Sequence, residues 1–140
     1  MAVMSITPQL RTIDLERSIR FCTEQVGIEL AFRHSDFYAG IRAGVGSFHL
    51  KLVDAPDPSV DYVRQGEQLH LYLGVDDLDA FGARLQNFGV KLIRPPRNTN
   101  WGPRELVFSD DQGHTLYAGM PLGTEVVSIV RGGRYGSDVG

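Results

Sequence analysis

The chain says nearly the same thing twice. Ile13-Asp14-Leu15-Glu16-Arg17-Ser18-Ile19-Arg20-Phe21 runs on to Val26-Gly27-Ile28-Glu29-Leu30, and Val75-Asp76-Asp77-Leu78-Asp79-Ala80-Phe81 runs on to Phe88-Gly89-Val90-Lys91-Leu92. Each copy is a strand end, a capping acid, an amphipathic stretch, a glycine stop and a new apolar strand. A repeat longer than about 50 residues argues for two fused modules sharing a core rather than a solenoid. A single compact unit of 140 residues should bury roughly two-thirds of its unfolded surface. The place between two half-sheets is the natural one for function.

The periods of the pattern place the elements. Residues 5–12 read as a strand. Asp14 is a good helix cap, and Leu15, Ile19, Cys22 and Val26 recur at helical spacing until Gly27 ends the run. Residues 28–33, 37–43 and 47–53 are three short strand candidates, separated by His34-Ser35-Asp36 and Gly44-Val45-Gly46. Asp54-Ala55-Pro56-Asp57-Pro58-Ser59 has two prolines and no periodicity, so residues 54–66 read as the linker between a module at about 5–53 and one at 67–120. The second module opens with a strand over 68–75. Asp76 or Asp77 caps a helix with Leu78, Phe81, Leu85 and Phe88 inward, and Gly89 stops it. Residues 90–93 read as a strand, 94–103 as a Pro/Asn-rich loop, and 104–109 and 115–119 as closing strands around the turn Asp110-Asp111-Gln112-Gly113. The order is β-α-β-β-β, twice, an α+β fold. Residues 121–140 are a tail in which 126–130 could add an edge strand, and the rest is expected to be mobile.

Composition excludes several functions. A net charge of −3 with scattered Arg and Lys gives no footprint for nucleic acid. MAVMSI has neither a basic region nor a long apolar run, so neither a signal peptide nor a membrane span is expected. The lone cysteine, Cys22, excludes an internal disulfide and suits a reducing cytoplasm. It lies on the apolar stripe of the first helix, where a buried spacer is the stronger reading than a nucleophile. His34 and His114 fall in turns and read as solvated. No helix start follows the glycines at 102, 113 and 119, so they make no phosphate loop.

Strand alternation sorts the side chains. Leu69, Leu71, Leu73 and Val75 oppose Gln68, His70, Tyr72 and Gly74. Phe48, Leu50 and Leu52 oppose Ser47, His49, Lys51 and Val53. Phe37, Ala39 and Ile41 oppose Tyr38, Gly40 and Arg42, Ile6, Pro8 and Leu10 oppose Thr7, Gln9 and Arg11, and Leu116 and Ala118 oppose Thr115 and Tyr117. The apolar faces must pack on the helices. The opposite faces carry Arg, His, Gln and aromatic rings, which suits a cavity lining better than a merely solvated surface. Tyr38, Phe48, Tyr72, Trp101 and Tyr117 are the aromatic candidates, with Phe48 on the core side. Arg11, Arg104 and Glu105 could orient polar substituents.

The duplication, the helix start Asp14-Leu15-Glu16-Arg17-Ser18 and the stretch Trp101-Gly102-Pro103-Arg104-Glu105-Leu106 followed by Asp110-Asp111-Gln112-Gly113-His114 resemble the vicinal oxygen chelate superfamily. Within it, the chain is most similar to bleomycin-resistance-type proteins of the glyoxalase/bleomycin-resistance/dioxygenase group. The resemblance spans about residues 5–120. It implies two tandem modules forming a curved, cavity-lining mixed sheet with helices on the outer face, and a two-fold homodimer with pockets at its interface, Pro8 marking the hinge of an exchanged arm. It also implies a ligand groove that includes Tyr38 and Trp101. Metal-dependent members place one ligand on the first and one on the last strand of each module. Those positions fall here at Thr7, His49 or Lys51, His70 and Tyr117, with Gln9 reachable by a two-residue slide. A divalent ion such as Zn, Mn, Ni or Fe wants two or three strong donors. Thr and neutral Tyr are poor ones, so His49 and His70 are the remaining candidates.

Two functions follow as expectations. The first is a metal-free protein that sequesters a planar or aromatic small molecule, antibiotic-like, through Thr7, Gln9, Arg11, Tyr38, His49, His70, Tyr72, Trp101, Arg104 and Tyr117. The second is a metal-dependent lyase, isomerase or dioxygenase using His49 and His70.

Overall fold

The computed structural model describes residues 1–55, 57–65 and 70–120. Along the chain run β1 (Gln9–Thr12), α1 (Leu15–Arg20), which continues into a π-helical turn (Phe21–Val26), β2 (Glu29–His34), β3 (Tyr38–Ala43), β4 (Gly46–Leu52), α2 (Pro58–Arg64), β5 (His70–Gly74), α3 (Leu78–Asn87), β6 (Leu92–Asn98), β7 (Arg104–Ser109) and β8 (Thr115–Met120). Two mixed sheets result, ordered β1-β4-β3-β2 and β5-β8-β7-β6. In each, the first and last strands of the module pair in parallel and the others antiparallel. The duplicated sequence is a duplicated α+β fold.

The repeated signals do the same work in both copies. Asp14 accepts the Arg17 amide at 3.1 Å and Asp77 accepts the Ala80 amide at 3.1 Å, each satisfying an orphan donor at a helix start. Gly27 and Gly89 stop the helical runs at φ +88° and +81°, conformations a side chain would strain. The π-turn places Phe21 and Val26, five residues apart, on the buried side together with Cys22. Burial, and after it the charges of Asp110 and Asp111, pushes the Cys22 thiol up, so it stays protonated and serves as packing.

Helices cover the apolar face of each sheet, and α3 also packs on the π-turn of the first module. One continuous core therefore joins Leu10, Ile41, Phe48 and Leu50 of the first module to Leu78, Leu85, Leu106 and Phe108 of the second. Phe108 sits at the meeting point, its ring 6.4 Å from Phe21 and 5.9 Å from Phe81. A polar junction supports the apolar one. The Ile13 amide donates to Gln112 Oε1 at 3.0 Å, and the Ser18 hydroxyl donates to Asp111 Oδ2 at 2.7 Å.

Asp111 is the strained member of that junction, because burial raises its pKa against the lowering by its Ser18 hydrogen bond. A carboxyl with a raised folded-state pKa favours folding below its unfolded value, and that contribution is lost as pH rises through the folded value. Asp111→Asn keeps an acceptor for Ser18 and removes the buried charge. It should melt higher than the parent at pH 7, with the gap closing as the pH is lowered into the carboxylate range. Thermal unfolding across that range checks this, and a gap that does not change with pH would refute it.

Several expectations need correction. The linker over residues 54–66 contains α2, capped by Asp57, whose side chain accepts the Ser59 amide at 2.8 Å, with Pro58 in the first turn and Val60 buried. The loop expected over residues 94–103 is strand as far as Asn98. β6 is an edge strand, where Pro95 and Pro96 need give no ladder donor, and its register slips there. β1 begins at Gln9, not at residue 5. Phe88 is half exposed under the Arg84 guanidinium, 4.9 Å from the ring centre, rather than inward. His114 is buried, not solvated. Gln68, Leu69 and the tail from Pro121 lie outside the described residues.

Candidate functional site

The face of each sheet turned away from the helices can be read row by row from strand register. On the first sheet, Gln9, His49 and Gly40 stand side by side across β1, β4 and β3, with Phe32 of β2 next in line. The Phe32 ring lies over Gly40 so closely that a Cβ there would come within 2.1 Å of it. It stacks on Tyr38 (centroids 6.4 Å, 17°) and meets His49 edge-on at 5.2 Å. The next row is Arg11, Lys51 and Tyr38. Gln9 Nε2 donates to the Tyr38 hydroxyl at 3.2 Å, and that hydroxyl lies 2.9 Å from His49 Nδ1.

The second sheet repeats the plan with other residues. Tyr72, Tyr117, Val107 and Arg94 form the row equivalent to Gln9, His49, Gly40 and Phe32. Tyr72 and Tyr117 stack (6.3 Å, 14°), and His70 meets Tyr117 edge-on at 5.5 Å. The Tyr72 hydroxyl crosses over Gly119, where a Cβ would lie 1.9 Å from it, and donates to Glu105 Oε2 at 2.7 Å. Arg94 Nη1 donates to the Tyr117 hydroxyl at 3.5 Å. In both modules a first-strand side chain bonds a third-strand residue of the next row, Gln9 to Tyr38 and Tyr72 to Glu105. The register also equates His49, rather than Lys51, with Tyr117.

The ten expected site residues therefore divide. Gln9, Tyr38 and His49 are in contact on the first sheet, and Arg11 shares their face while bound to Asp57 Oδ2 at 3.5 Å. His70, Tyr72 and Tyr117 are together on the second. Thr7 precedes β1 and is half buried. Trp101 sits exposed in the β6–β7 loop. Arg104 is not with them: its guanidinium forms a two-pronged ion pair with Asp79 of α3 (2.9 and 3.2 Å) and bonds Asn98. Phe32, absent from the expected set, adds a second six-membered ring to that face beside Tyr38.

Because the apolar faces of both sheets share one core, the two aromatic faces are separate surfaces, each turned away from that core. A cavity of about 340 Å³ touches the second face at Tyr72 and is otherwise lined mainly by apolar side chains of both modules, among them Phe48, Leu71, Leu73 and Phe81. A wider cleft of about 500 Å³ lies on the helical side, between Arg17, Arg20 and Phe88, away from both faces.

A profile of the Glyoxalase/Bleomycin resistance protein/Dioxygenase superfamily matches residues 4–117. The chain belongs to that superfamily. No curated protein matches it by sequence. Solved structures of the same fold include TnmS3, an antibiotic binding protein from Streptomyces sp. CB03234 (28% identity, 86% of this chain and 99% of that one, TM-score 0.64). UcmS2 is similar at 20% identity (85% and 98%, TM-score 0.70). So is a bleomycin resistance determinant encoded on the transposon Tn5, at 19% identity (86% and 100%, TM-score 0.68).

Some members of this superfamily use a metal, and neither face of a single chain by itself offers a full set of donors for one. The first face offers one imidazole, His49, beside a neutral amide and a phenol. The second offers His70 beside Tyr117, with the Glu105 carboxylate engaged by Tyr72. Among the described residues no three of His, Cys, Asp and Glu gather as a metal-holding group. The described helices also include none long and apolar enough to cross a membrane.

Proposed function

We propose that this protein binds and sequesters a planar, partly aromatic small molecule of the antibiotic type, without a metal and without changing its bonds. The observation that supports this is the placement of large rings on the solvent side of both sheets. Phe32 and Tyr72 are each about half exposed, at 44% and 48%, although a buried core lies one strand layer away. Flat exposed rings offer stacking area for a flat ligand. The likeness to an antibiotic binding protein at 28% identity supports the same reading.

Two separate aromatic faces on one chain suit a homodimer, in which the first sheet of one copy meets the second sheet of the other and two equivalent pockets close. The N-terminal arm supports this reading too, since Val3, Met4 and Ile6 stand exposed ahead of the Pro8 hinge. Light scattering should return about twice the 15.5 kDa chain mass; a monomer at micromolar concentration would overturn the assembly. We place the protein in the cytoplasm, where the buried Cys22 thiol stays reduced.

Calorimetric titration against a panel of planar antibiotics tests the binding itself. Trp101→Ala should weaken the best ligand by more than about 1 kcal/mol, the scale of an aromatic hot spot, and unchanged affinity would remove Trp101 from the site. Elemental analysis of protein purified without chelator tests the metal. Stoichiometric Zn, Mn, Ni or Fe, lost in a His49→Ala/His70→Ala variant, would replace this reading with the metal-dependent enzyme.

A further inference from the structure

The first face offers a ligand one unused amide acceptor, Gln9 Oε1, and a surplus of cationic donors. Gln9 Nε2 donates to the Tyr38 oxygen, which leaves the phenolic hydrogen available to His49 Nδ1 in the tautomer that carries the imidazole hydrogen on Nε2. In that tautomer Nδ1 is the acceptor, and Nε2 has no partner among the described residues. One row along, Arg11 and Lys51 are register neighbours beside Tyr38. Arg11 is partly answered by Asp57, 3.5 Å away. The other oxygen of Asp57 is taken by the amide and hydroxyl of Ser59, which do most to hold its carboxyl below the ordinary range, ahead of Arg11 and Lys51. Arg42, farther along the same face, is paired with Glu29 at 3.4 Å. Lys51 has no ion pair and no hydrogen bond among the described residues. Asp57 is thus shared between Arg11 and Lys51, which leaves the face one positive charge in excess in a chain whose net charge is −3.

Resting on the reading that these rings hold a planar ligand, we propose that the first face selects one with an anionic oxygen substituent on its ring system, a carboxylate, sulfonate or ionised phenol. Phe32 and Tyr38 hold the ring, Lys51 with Arg11 meets the charge, and His49 Nε2–H donates to an oxygen. A cationic ligand would find one neutral acceptor, Gln9 Oε1, and carboxylates already paired, Asp57 with Arg11 and Glu29 with Arg42. It would also bring a like charge to Lys51, which costs affinity when the pair is partly desolvated.

The experiment uses the full chain and three probes built on one ring: 2-naphthoate, 2-naphthamide and 2-naphthylmethylammonium, titrated by ligand-observed NMR at low salt. Naphthoate should bind at least tenfold tighter than either of the others. Lys51→Met should remove most of that advantage while leaving naphthamide unchanged, and Lys51→Arg should restore it. Thermal unfolding of both variants, expected to match the parent, checks that the fold is kept. Equal binding of the three probes, or a preference for the cation, would overturn the anion selectivity and leave the planar-ligand function standing. Failure of all three to bind, with antibiotics also silent, would overturn both.

Discussion

Phe108→Ala is expected to cost about 3–5 kcal/mol of folding free energy, the usual range for emptying a phenylalanine site in a packed core. Phe108 is fully buried, and its ring touches Phe21 from the first module and Phe81 from the second. The cavity therefore opens where the two copies meet, and neither helix can slide in without leaving its own sheet. A domain of this kind has about 5–15 kcal/mol in total, so the variant should unfold at markedly lower urea. Protein concentration must be held fixed, because association adds a concentration-dependent term. Leu30→Ala, on a side chain 40% exposed at the edge of the first sheet, provides the contrast and should stay within about 1 kcal/mol, as surface changes do. If the two variants cost the same, the modules do not share a core.

What the sequence made legible was local chemistry that repeats. Asp14 and Asp77 cap, Gly27 and Gly89 stop, and the apolar spacing between them needs no partner to be read. The β-α-β-β-β order followed from these signals and from turn residues. The errors lie where an element depends on its neighbours. Asp57-Pro58 is a cap followed by a first-turn proline, but two prolines in six residues read as a break. Pro95 and Pro96 fit a strand only because β6 is an edge, which alternation along one strand cannot reveal. Leu106-Val107-Phe108 has no alternation at all, so the opposite sides taken by Arg104 and Glu105 were hidden, and with them the pairing of Arg104 with Asp79. Phe32 joined the polar face through the register slip between Leu30 and Phe32, a property of the β2–β3 pair. Alternation put Gln9, Tyr38 and His49, and Tyr72 and Tyr117, on the faces opposite the core; that these faces belong to separate sheets built on one shared core was not legible, since it depends on both modules at once.

Asp110→Ala should cost about 3–5 kcal/mol, the range for leaving a buried polar partner uncompensated. The side chains of Asp110 and His114 are only 9% and 3% exposed, and His114 Nδ1 lies 2.7 Å from Asp110 Oδ2. The other carboxylate oxygen accepts the amides of Gln112 and His114 at 2.9 and 2.8 Å. Truncation strands three donors in one turn, and desolvated donors without acceptors lose the full hydration they had in the unfolded chain. The damage should spread, because the same turn presents Gln112 to the Ile13 amide and Asp111 to Ser18. Asp110→Asn separates the contributions. Its amide oxygen can still accept both backbone amides, while its NH2 cannot accept from His114, so its cost should fall between the parent and Asp110→Ala. Hydrogen exchange at the Gln112, His114 and Ile13 amides gives the local readout: in Asp110→Ala all three should accelerate together. If the Ile13 amide keeps its protection while the turn loses its own, the β7–β8 turn is a self-contained bend and not a strut between the modules.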